Sequence, residues 1–229
     1  MNLAALFSGG KDSTFSIYEA QNHGDAVKCL VTILADSEDS HLLHHPNLAL
    51  TGLQAKSMRI PQITVAATSS DTKEELENLK VALSAAKKGY QIEGVLHGGI
   101  LSEFQKTKFE NVAKDLGLRV VSPLWQKNQS QYMRLLLDSG FEFIITSVSA
   151  DGLDKSWLGK KITKDDLVKL ERLSEKHKFN LSFEGGEAET FVVNCPLFSN
   201  PIEVQDSSVL WDGYRGRFEI VHAKIKDNA

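Results

Sequence analysis

The sequence has 229 residues, of which 41% are hydrophobic and 24% charged, with a formal net charge of −4 at pH 7 and a pI of about 6.0. This length suits one large domain or a domain with a smaller second one, and the composition is ordinary for a soluble globular protein. Because the net charge is negative, no overall positive field attracts nucleic acid, and a nucleic-acid partner is not expected.

The cysteines and the hydropathy pattern indicate the compartment. Cys29 and Cys195 lie far apart in the sequence and form neither a CxxC motif nor a metal-ligand spacing, which favours a reduced setting. No apolar run approaches the roughly 20 residues of a membrane span. The N-terminus lacks the features of a signal peptide. We therefore expect a cytoplasmic protein that does not contact a membrane.

Apolar runs typical of strands alternate with periodic segments typical of helices along residues 1–148. The predicted strands span residues 3–7, 27–35, 62–67, 93–97, 119–122 and 141–148. The predicted helices span residues 13–23, 46–58, 73–87, 103–116 and 130–138. This alternation with short connections predicts an α/β fold with a doubly wound, mainly parallel five-stranded sheet covered by helices on both faces.

The pattern changes after residue 148. A polar, Gly-rich stretch is followed by a charged helix at residues 164–177, and residues 218–226 alternate like an edge or hairpin strand. We therefore predict two units, residues 1–148 and a smaller α+β lobe at residues 149–229.

The stretch "SGGKDS" at residues 8–13 joins the first predicted strand to the first helix. Ligands bind at this carboxyl edge in doubly wound folds, and a helix N-terminus there suits a phosphate. Glycines allow close backbone approach, while Ser8 and Ser13 add hydroxyl groups and Lys11 adds a charge. The spacing matches neither GxxxxGK[ST] nor GxGxxG. The structural alternative is a tight turn with Asp12 or Ser13 capping the helix.

This loop resembles the SGGxDS signature of the ATP pyrophosphatases, also called PP-loop enzymes. The later stretches "GGILSEFQKTKFENVAKDLGL", "PLWQKNQ", "GLDKSWLGK" and "EGGEAETFVVNCPLF" resemble, in that order, the blocks of the diphthine–ammonia ligase family. Together the blocks reach from residue 4 to about residue 198. The resemblance implies an adenine nucleotide alpha-hydrolase-like (HUP) fold, with residues 1–148 binding the nucleotide and the C-terminal lobe binding substrate.

The resemblance also implies a reaction. Members of this family amidate diphthine on translation elongation factor 2 with ammonia, through an acyl-adenylate, and release AMP and pyrophosphate. ATP is the expected cofactor, with Mg²⁺ on its polyphosphate. The implied partners are elongation factor 2 carrying diphthine, and ammonium. Because a glutaminase needs an activated nucleophile and neither cysteine has that setting, we expect free ammonia to be used directly.

The matching blocks imply site residues. Catalytic roles are implied for Lys11, Asp12 and Glu187, and no resident metal site is implied. The residues implied to bind the nucleotide are Ser8, Gly9, Gly10, Lys11, Asp12, Ser13, Gly98 and Gly99. The residues implied to bind substrate are Ser102, Gln105, Lys106, Thr107, Trp125, Glu184, Gly185, Gly186, Glu187, Glu189 and Thr190.

Each of these residues also has a structural alternative. The pair Gly98-Gly99 can form a simple turn, and residues 105–107 can be a solvated helix start. For Trp125 the residue pattern favours packing over ligand contact, although aromatic rings do hold quaternary ammonium groups. The three glutamates near Gly185-Gly186 either form a charged loop or face a cation, and we expect a cation: ammonium, Mg²⁺ or the trimethylammonium group. Where Ala188 stands, the family pattern leads us to expect an aromatic residue.

A histidine cluster, His41, His44 and His45, raises the possibility of a zinc site, but its flanks suit a loop that covers the nucleotide or docks the protein substrate. Two other functions compete with the ligase. A PP-loop tRNA-modifying enzyme is disfavoured by the absence of an obvious cysteine pair and by the acidic balance. A nucleotide-binding sensor is disfavoured by the pyrophosphate loop itself.

Overall fold

A five-stranded parallel sheet forms the first half of the protein, in a computed structural model that describes residues 1–35, 47, 50–67 and 72–227. Its strand order is β3-β2-β1-β4-β5. The strands are β1 (Asn2–Leu6), β2 (Ala26–Ala35), β3 (Gln62–Ala67), β4 (Gly94–Leu96) and β5 (Arg119–Val121). The order reverses between β1 and β4, which makes their carboxyl ends the switch point where ligands bind in such sheets.

Helices cover both faces of this sheet because alternate strand residues point to opposite sides. Ala4 packs with α3 and α4, whereas Leu3 and Ala5 pack with α1 and α2. The helices are α1 (Lys11–Asn22), α2 (Thr51–Met58), α3 (Thr72–Tyr90), α4 (Glu103–Asp115), α5 (Gln129–Asp138) and α6 (Lys164–His177). The predicted doubly wound α/β fold is therefore confirmed.

The second sheet is antiparallel, in the order β7-β6-β9-β8. Its strands are β6 (Glu142–Val148), β7 (Ala188–Asn194), β8 (Ile202–Trp211) and β9 (Gly216–Ile225). The expectation that residues 141–148 continue the parallel sheet is wrong, because β6 pairs with β7 and β9 instead. A short apolar run shows that a strand is buried, but not which sheet buries it. The hairpin interpretation of residues 218–226 is confirmed by the β8–β9 pairing.

A shared core joins the two sheets. Phe15 on α1 packs in one cluster with Tyr132, Met133 and Leu136 on α5 and with Phe143 on β6. Because α1 follows the loop after β1, this cluster fixes the start of α1 against the second sheet. None of the described helices is long and apolar enough to cross a membrane.

Two predictions fall partly or wholly outside the described residues. The histidines His41, His44 and His45 lie outside them, together with the predicted zinc site or covering loop. Of the helix predicted at residues 46–58, the described helical part is α2, which begins at Thr51. Within the described part of the chain, no group of three or more His, Cys, Asp or Glu side chains is arranged to hold a metal ion.

Candidate functional site

A cavity of about 1050 Å³ lies at the switch point, between the carboxyl ends of β1 and β4 and the second sheet. Its volume is at the upper end of the range of small-molecule sites. Its lining includes the loop after β1, the loop after β4, residues between 183 and 190 and the end of the β8–β9 hairpin, together with side chains of β2, α3, α4 and β6. The cavity is therefore built from both sheets.

The loop after β1 depends on Gly9, whose φ of +77° lies in the left-handed region. Its carbonyl oxygen accepts hydrogen bonds from Gln54 Nε2 at 2.8 Å and from the Val192 N–H at 3.0 Å. A Cβ at this position would lie 2.2 Å from Gln54 Oε1. Only glycine fits both the backbone angle and the space.

Gly10 begins α1 without a side-chain cap, so the capping alternative for Asp12 or Ser13 does not apply. Its carbonyl oxygen accepts from Thr14 N at 3.1 Å and from Thr14 Oγ1 at 2.8 Å. The Ser8 and Ser13 hydroxyl oxygens lie 3.1 Å apart, and both residues line the cavity. The loop thus presents hydroxyl groups and a helix N-terminus, which is the chemistry of an anion site.

Thr190 on β7 holds the loop from the opposite side. The Lys11 N–H donates to Thr190 Oγ1 at 3.1 Å, and a Cβ on Gly10 would lie 3.3 Å from the Thr190 carbonyl oxygen. Thr190 also lines the cavity, as expected for a ligand-binding residue. The first helical N–H of α1 is therefore oriented by the second sheet.

The Lys11 side chain is only 2% exposed, so its charge does not stand free in the cavity. Its ammonium donates to Asp12 Oδ2 at 2.9 Å and to the Ser182 carbonyl at 2.6 Å, and it lies 5.3 Å from the centre of the Phe183 ring. Asp12 is partly exposed and lines the cavity next to it. Lys11 and Asp12 thus act as a pair rather than as separate charges.

Tyr132 on α5 is a site residue that sequence reasoning missed. Its hydroxyl donates to Asp12 Oδ1 at 2.5 Å, so each Asp12 oxygen has a donor. Burial, reinforced by the Asp12 carboxylate, raises the pKa of Tyr132 well above its ordinary value, which keeps the phenol protonated. No sequence signal distinguishes this tyrosine from an apolar core residue of an amphipathic helix.

The loop after β4 is packed directly on α1. A Cβ on Gly98 would lie 2.6 Å from the Asp12 carbonyl group, so a side chain there would displace the start of α1. The Gly99 N–H donates to His97 Nδ1 at 3.1 Å. Because β4 pairs with β1, the predicted position of Gly98 and Gly99 beside the first strand is found.

His97, which sequence reasoning also missed, is 2% exposed and lines the inner part of the cavity. Burial, aided by the Lys106 charge, lowers its pKa to about 4, so the imidazole is neutral at pH 7. Since Nδ1 accepts the Gly99 N–H, the proton of the neutral ring is on Nε2.

The three glutamates do not form the single cation-facing cluster that was expected. Both oxygens of Glu187 are used locally: Oε1 accepts from Asn180 N and Nδ2 at 2.8 and 2.7 Å, and Oε2 accepts from Gly185 N at 2.8 Å. Glu187 is not among the described residues that line the cavity, whereas Glu184 and Glu189 are. The Glu187 carboxylate therefore stabilises the conformation of the acidic loop, residues 184–187, which precedes β7.

Glu184 connects the acidic loop to the loop after β4. Its Oε1 accepts from Ile100 N at 2.8 Å and from Leu101 N at 3.2 Å. Burial, together with the nearby Asp12 carboxylate, raises the pKa of Glu184 above its ordinary value. Glu184 therefore shapes the site by joining two of its loops, and its surroundings disfavour the charged form of its carboxyl group.

The remaining predicted residues divide into two groups. Ser102, Gly185 and Gly186 line the cavity. The Lys106 ammonium lies 4.2 Å above the Trp125 ring instead, and neither residue is among the described residues that line the cavity. Thr107 is exposed on α4, and of Gln105 only the backbone position in α4 is described.

Ala188 stands where an aromatic residue was expected. It is 4% exposed and lines the cavity beside Glu189. This position therefore forms part of the cavity wall.

Comparisons with known proteins identify the family. Residues 1–120 match the family model of the diphthamide synthase N-terminal domain, and residues 128–225 match that of the diphthamide synthase C-terminal domain. The diphthine–ammonia ligase of Homo sapiens is 33% identical over 228 residues, covering 92% of this chain and 85% of that protein. That of Schizosaccharomyces pombe is 32% identical over 246 residues, covering 99% of this chain and 39% of that protein.

A solved structure is also similar, the predicted subunit of tRNA methyltransferase from Methanocaldococcus jannaschii. It is 16% identical with a TM-score of 0.45, covering 85% of this chain and 97% of that one. At that similarity it says nothing about activity.

Proposed function

The chain belongs to the diphthamide synthase family, and on this premise we propose that it is a diphthine–ammonia ligase. The enzyme uses ATP to convert the carboxylate of diphthine, carried on a protein, into an amide. The protein is elongation factor 2 and the nitrogen donor is ammonia, drawn from ammonium. The products are diphthamide, AMP and pyrophosphate, and the reaction takes place in the cytoplasm.

The observation that carries this proposal is the loop at Ser8–Ser13, which lines a cavity built from both sheets. Bare backbone at Gly10, two hydroxyl groups and the N-terminus of α1 fit the phosphates of ATP, while Gly9 sets the conformation of the loop. The loop after β4 supports the nucleotide from the neighbouring strand, with Gly98 and Gly99 allowing close approach.

These residues also fit a nucleotide that carries Mg²⁺. When bound, Mg²⁺ neutralises charge on the departing pyrophosphate. Asp12 is the carboxylate that lies on the loop side of the cavity, and its two oxygens are fixed by Lys11 and Tyr132. Such fixed orientation is what catalysis by positioning requires.

Activation of the substrate explains the use of ATP. A carboxylate is a poor electrophile, and joining it to AMP supplies a good leaving group for attack by ammonia. The protein holds the two reactants, excludes water and places charges. Glu184 and Glu189 both line the cavity, where their carboxyl groups suit the trimethylammonium group of diphthine or the ammonium ion.

The substrate side is assigned to the second sheet and its loops, with Gly185, Gly186 and Thr190 as contacts, and to Ser102 in the loop after β4. We retain the predicted assignment of nucleotide binding to the first unit and substrate binding to the second, but we move the boundary predicted at residue 148. Because β6 pairs within the second sheet, we place the boundary before Glu142.

Purified protein incubated with ATP, Mg²⁺ and ammonium tests the proposal. AMP and pyrophosphate should form in equal amounts, and only when diphthine-bearing elongation factor 2 is present. The matched control is the same factor isolated before the diphthine side chain is built. Formation of AMP with transfer RNA and not with the factor would instead favour a tRNA-modifying enzyme.

A further inference from the structure

One wall of the cavity is the end of the β8–β9 hairpin. Leu210 and Trp211 at the end of β8, and Arg215 and Arg217 around the start of β9, line it. The hairpin reaches the rest of its sheet through Ser147 and Val148 of β6, which pair with Arg217 and Gly216. The turn, residues 212–215, therefore stands at the rim of the cavity.

This end of the hairpin exposes large apolar side chains. Leu210 and Tyr214 are each 54% exposed and Val209 is 39% exposed. The other exposed large apolar residues of the described part of the chain stand singly in the sequence: Met1, Val81, Leu101, Leu135, Val168 and Val221, the last on β9 away from the turn. A concentration of such residues at the edge of a binding site is typical of a protein-binding surface.

The exposed end is held rigid. Asp212 Oδ1 accepts from Tyr214 N at 2.8 Å and from Arg215 N at 2.7 Å, and Asp212 N donates to the Arg215 carbonyl at 3.1 Å. These hydrogen bonds lower the pKa of Asp212, which keeps the carboxylate charged. A Cβ on Gly216 would lie 2.5 Å from the Trp211 ring and 2.7 Å from Leu158, so the base of the turn is tightly packed.

We propose that residues 209–215, the hairpin tip, are the docking surface for the protein that carries diphthine. The inference rests on the proposed function: a modified side chain enters the cavity while its backbone remains attached to a folded protein. That protein must therefore rest on the rim. The hairpin tip offers it an aromatic residue, aliphatic residues and an exposed arginine in a rigid frame, the composition that dominates binding energy at interfaces.

Either a substrate protein or a second copy of this chain could occupy the hairpin tip. The continuity between the tip and the cavity favours the substrate protein. Leu210 and Arg215 belong to both the rim and the exposed surface, so a partner seated on the tip also covers the mouth of the cavity. A substrate protein must do so, whereas a second copy of this chain seated there would obstruct the entrance.

The test is the variant Val209→Ser/Tyr214→Ala, which changes two tip residues that do not belong to the described cavity lining. The KM for diphthine-bearing elongation factor 2 should rise about tenfold, the size of effect expected for truncating an interface anchor. The kcat at saturating factor and the affinity for ATP, measured by calorimetry, should stay unchanged. Val168→Ser on α6 is the matched control and should behave as the wild type.

Direct binding of the factor, measured by biolayer interferometry, separates the two proposals. The wild type could bind the factor without amidating it, while the double variant binds it more weakly. This result would reject the ligase function and support the docking surface. An unchanged KM and unchanged binding in the double variant would overturn the docking surface. Sedimentation in which the wild type dimerises and the double variant does not, with KM unchanged, would overturn it as well.

Discussion

The Tyr132 hydroxyl donates a hydrogen bond of 2.5 Å to Asp12 Oδ1, from a helix 120 residues further along the chain. Since Lys11 occupies the other Asp12 oxygen, the carboxylate is fixed on both sides. Tyr132 therefore positions an acidic group at the cavity without lining the cavity itself.

Tyr132→Phe removes the hydroxyl and keeps the ring that packs against Phe15. A hydrogen bond to a charged group contributes roughly 1.5–3 kcal/mol, so we expect kcat for AMP formation to fall about tenfold or more. The affinity for the protein substrate should change little. Tyr18→Phe is the matched control, because Tyr18 packs on the same Phe15 ring. Equal kcat values for the two variants would show that the Tyr132 hydroxyl does not position Asp12.

Gly9 can be tested against a second glycine with the same backbone angle. Gly9 and Gly24 have φ values of +77° and +85°, but a Cβ would clash with Gln54 only at Gly9. Both alanine variants should lose about 1–2 kcal/mol of unfolding free energy from left-handed strain. Gly9→Ala should lose more and should release pyrophosphate at least tenfold more slowly. If the Gly9→Ala enzyme were as active as Gly24→Ala, activity would not require glycine at position 9.

The buried His97 predicts a loss of stability in acid. The pKa of His97 is about 4 in the folded protein and ordinarily about 6.5. Between these two pH values a proton therefore binds the unfolded chain in preference to the folded protein. The unfolding free energy should fall by up to about 3 kcal/mol as the pH drops from 6.5 to 4. Urea unfolding of the wild type and of His97→Phe at pH 7 and 4.5 measures this contribution.

The variant His97→Phe should show a smaller drop than the wild type over this pH window, by about 2 kcal/mol or more. His222→Phe, at an exposed position, is the control and should follow the wild type. The same drop in all three proteins would assign the acid sensitivity to other groups.

The nitrogen source can be tested through the cysteines. Burial raises the pKa of Cys29 to about 11 and that of Cys195 to about 12, so neither thiol is ionised near neutral pH. The double variant Cys29→Ala/Cys195→Ala should amidate the factor with ammonium at nearly the wild-type rate. Glutamine in ammonium-free buffer should support no amidation. If the wild type amidated the factor with glutamine alone and the double variant did not, this result would contradict direct use of ammonia.

Local sequence patterns were sufficient for the first half of the protein. The apolar runs of β1–β5 and the periodicity of α1, α3 and α4 are properties of neighbouring residues, so they predicted the parallel sheet and the loop at Ser8–Ser13. The prediction that β6 belongs to the parallel sheet was wrong, because its sheet membership depends on pairing with β7, which lies 40 residues or more away along the chain.

The site required contacts that no local pattern contains. Glu187 looks like a ligand in the sequence, yet its oxygens are saturated by Asn180 and Gly185. Tyr132 and His97 look like core residues, yet one orients Asp12 and the other lines the cavity. The role of Tyr132 depends on a hydrogen bond across 120 residues, whereas those of Glu187 and His97 depend on how their loops fold and on which side chains the fold buries.

The most direct test of the ligase function follows isotope-labelled nitrogen into the product. Wild-type protein, ATP, Mg²⁺, ¹⁵N-ammonium and diphthine-bearing elongation factor 2 are incubated. The modified residue of the factor is analysed by mass spectrometry, and the nucleotides are quantified. We expect one ¹⁵N atom in each converted side chain, with one AMP and one pyrophosphate per amide. Conversion of ATP to ADP and phosphate, or AMP formation with no ¹⁵N in the factor, would contradict the ligase function.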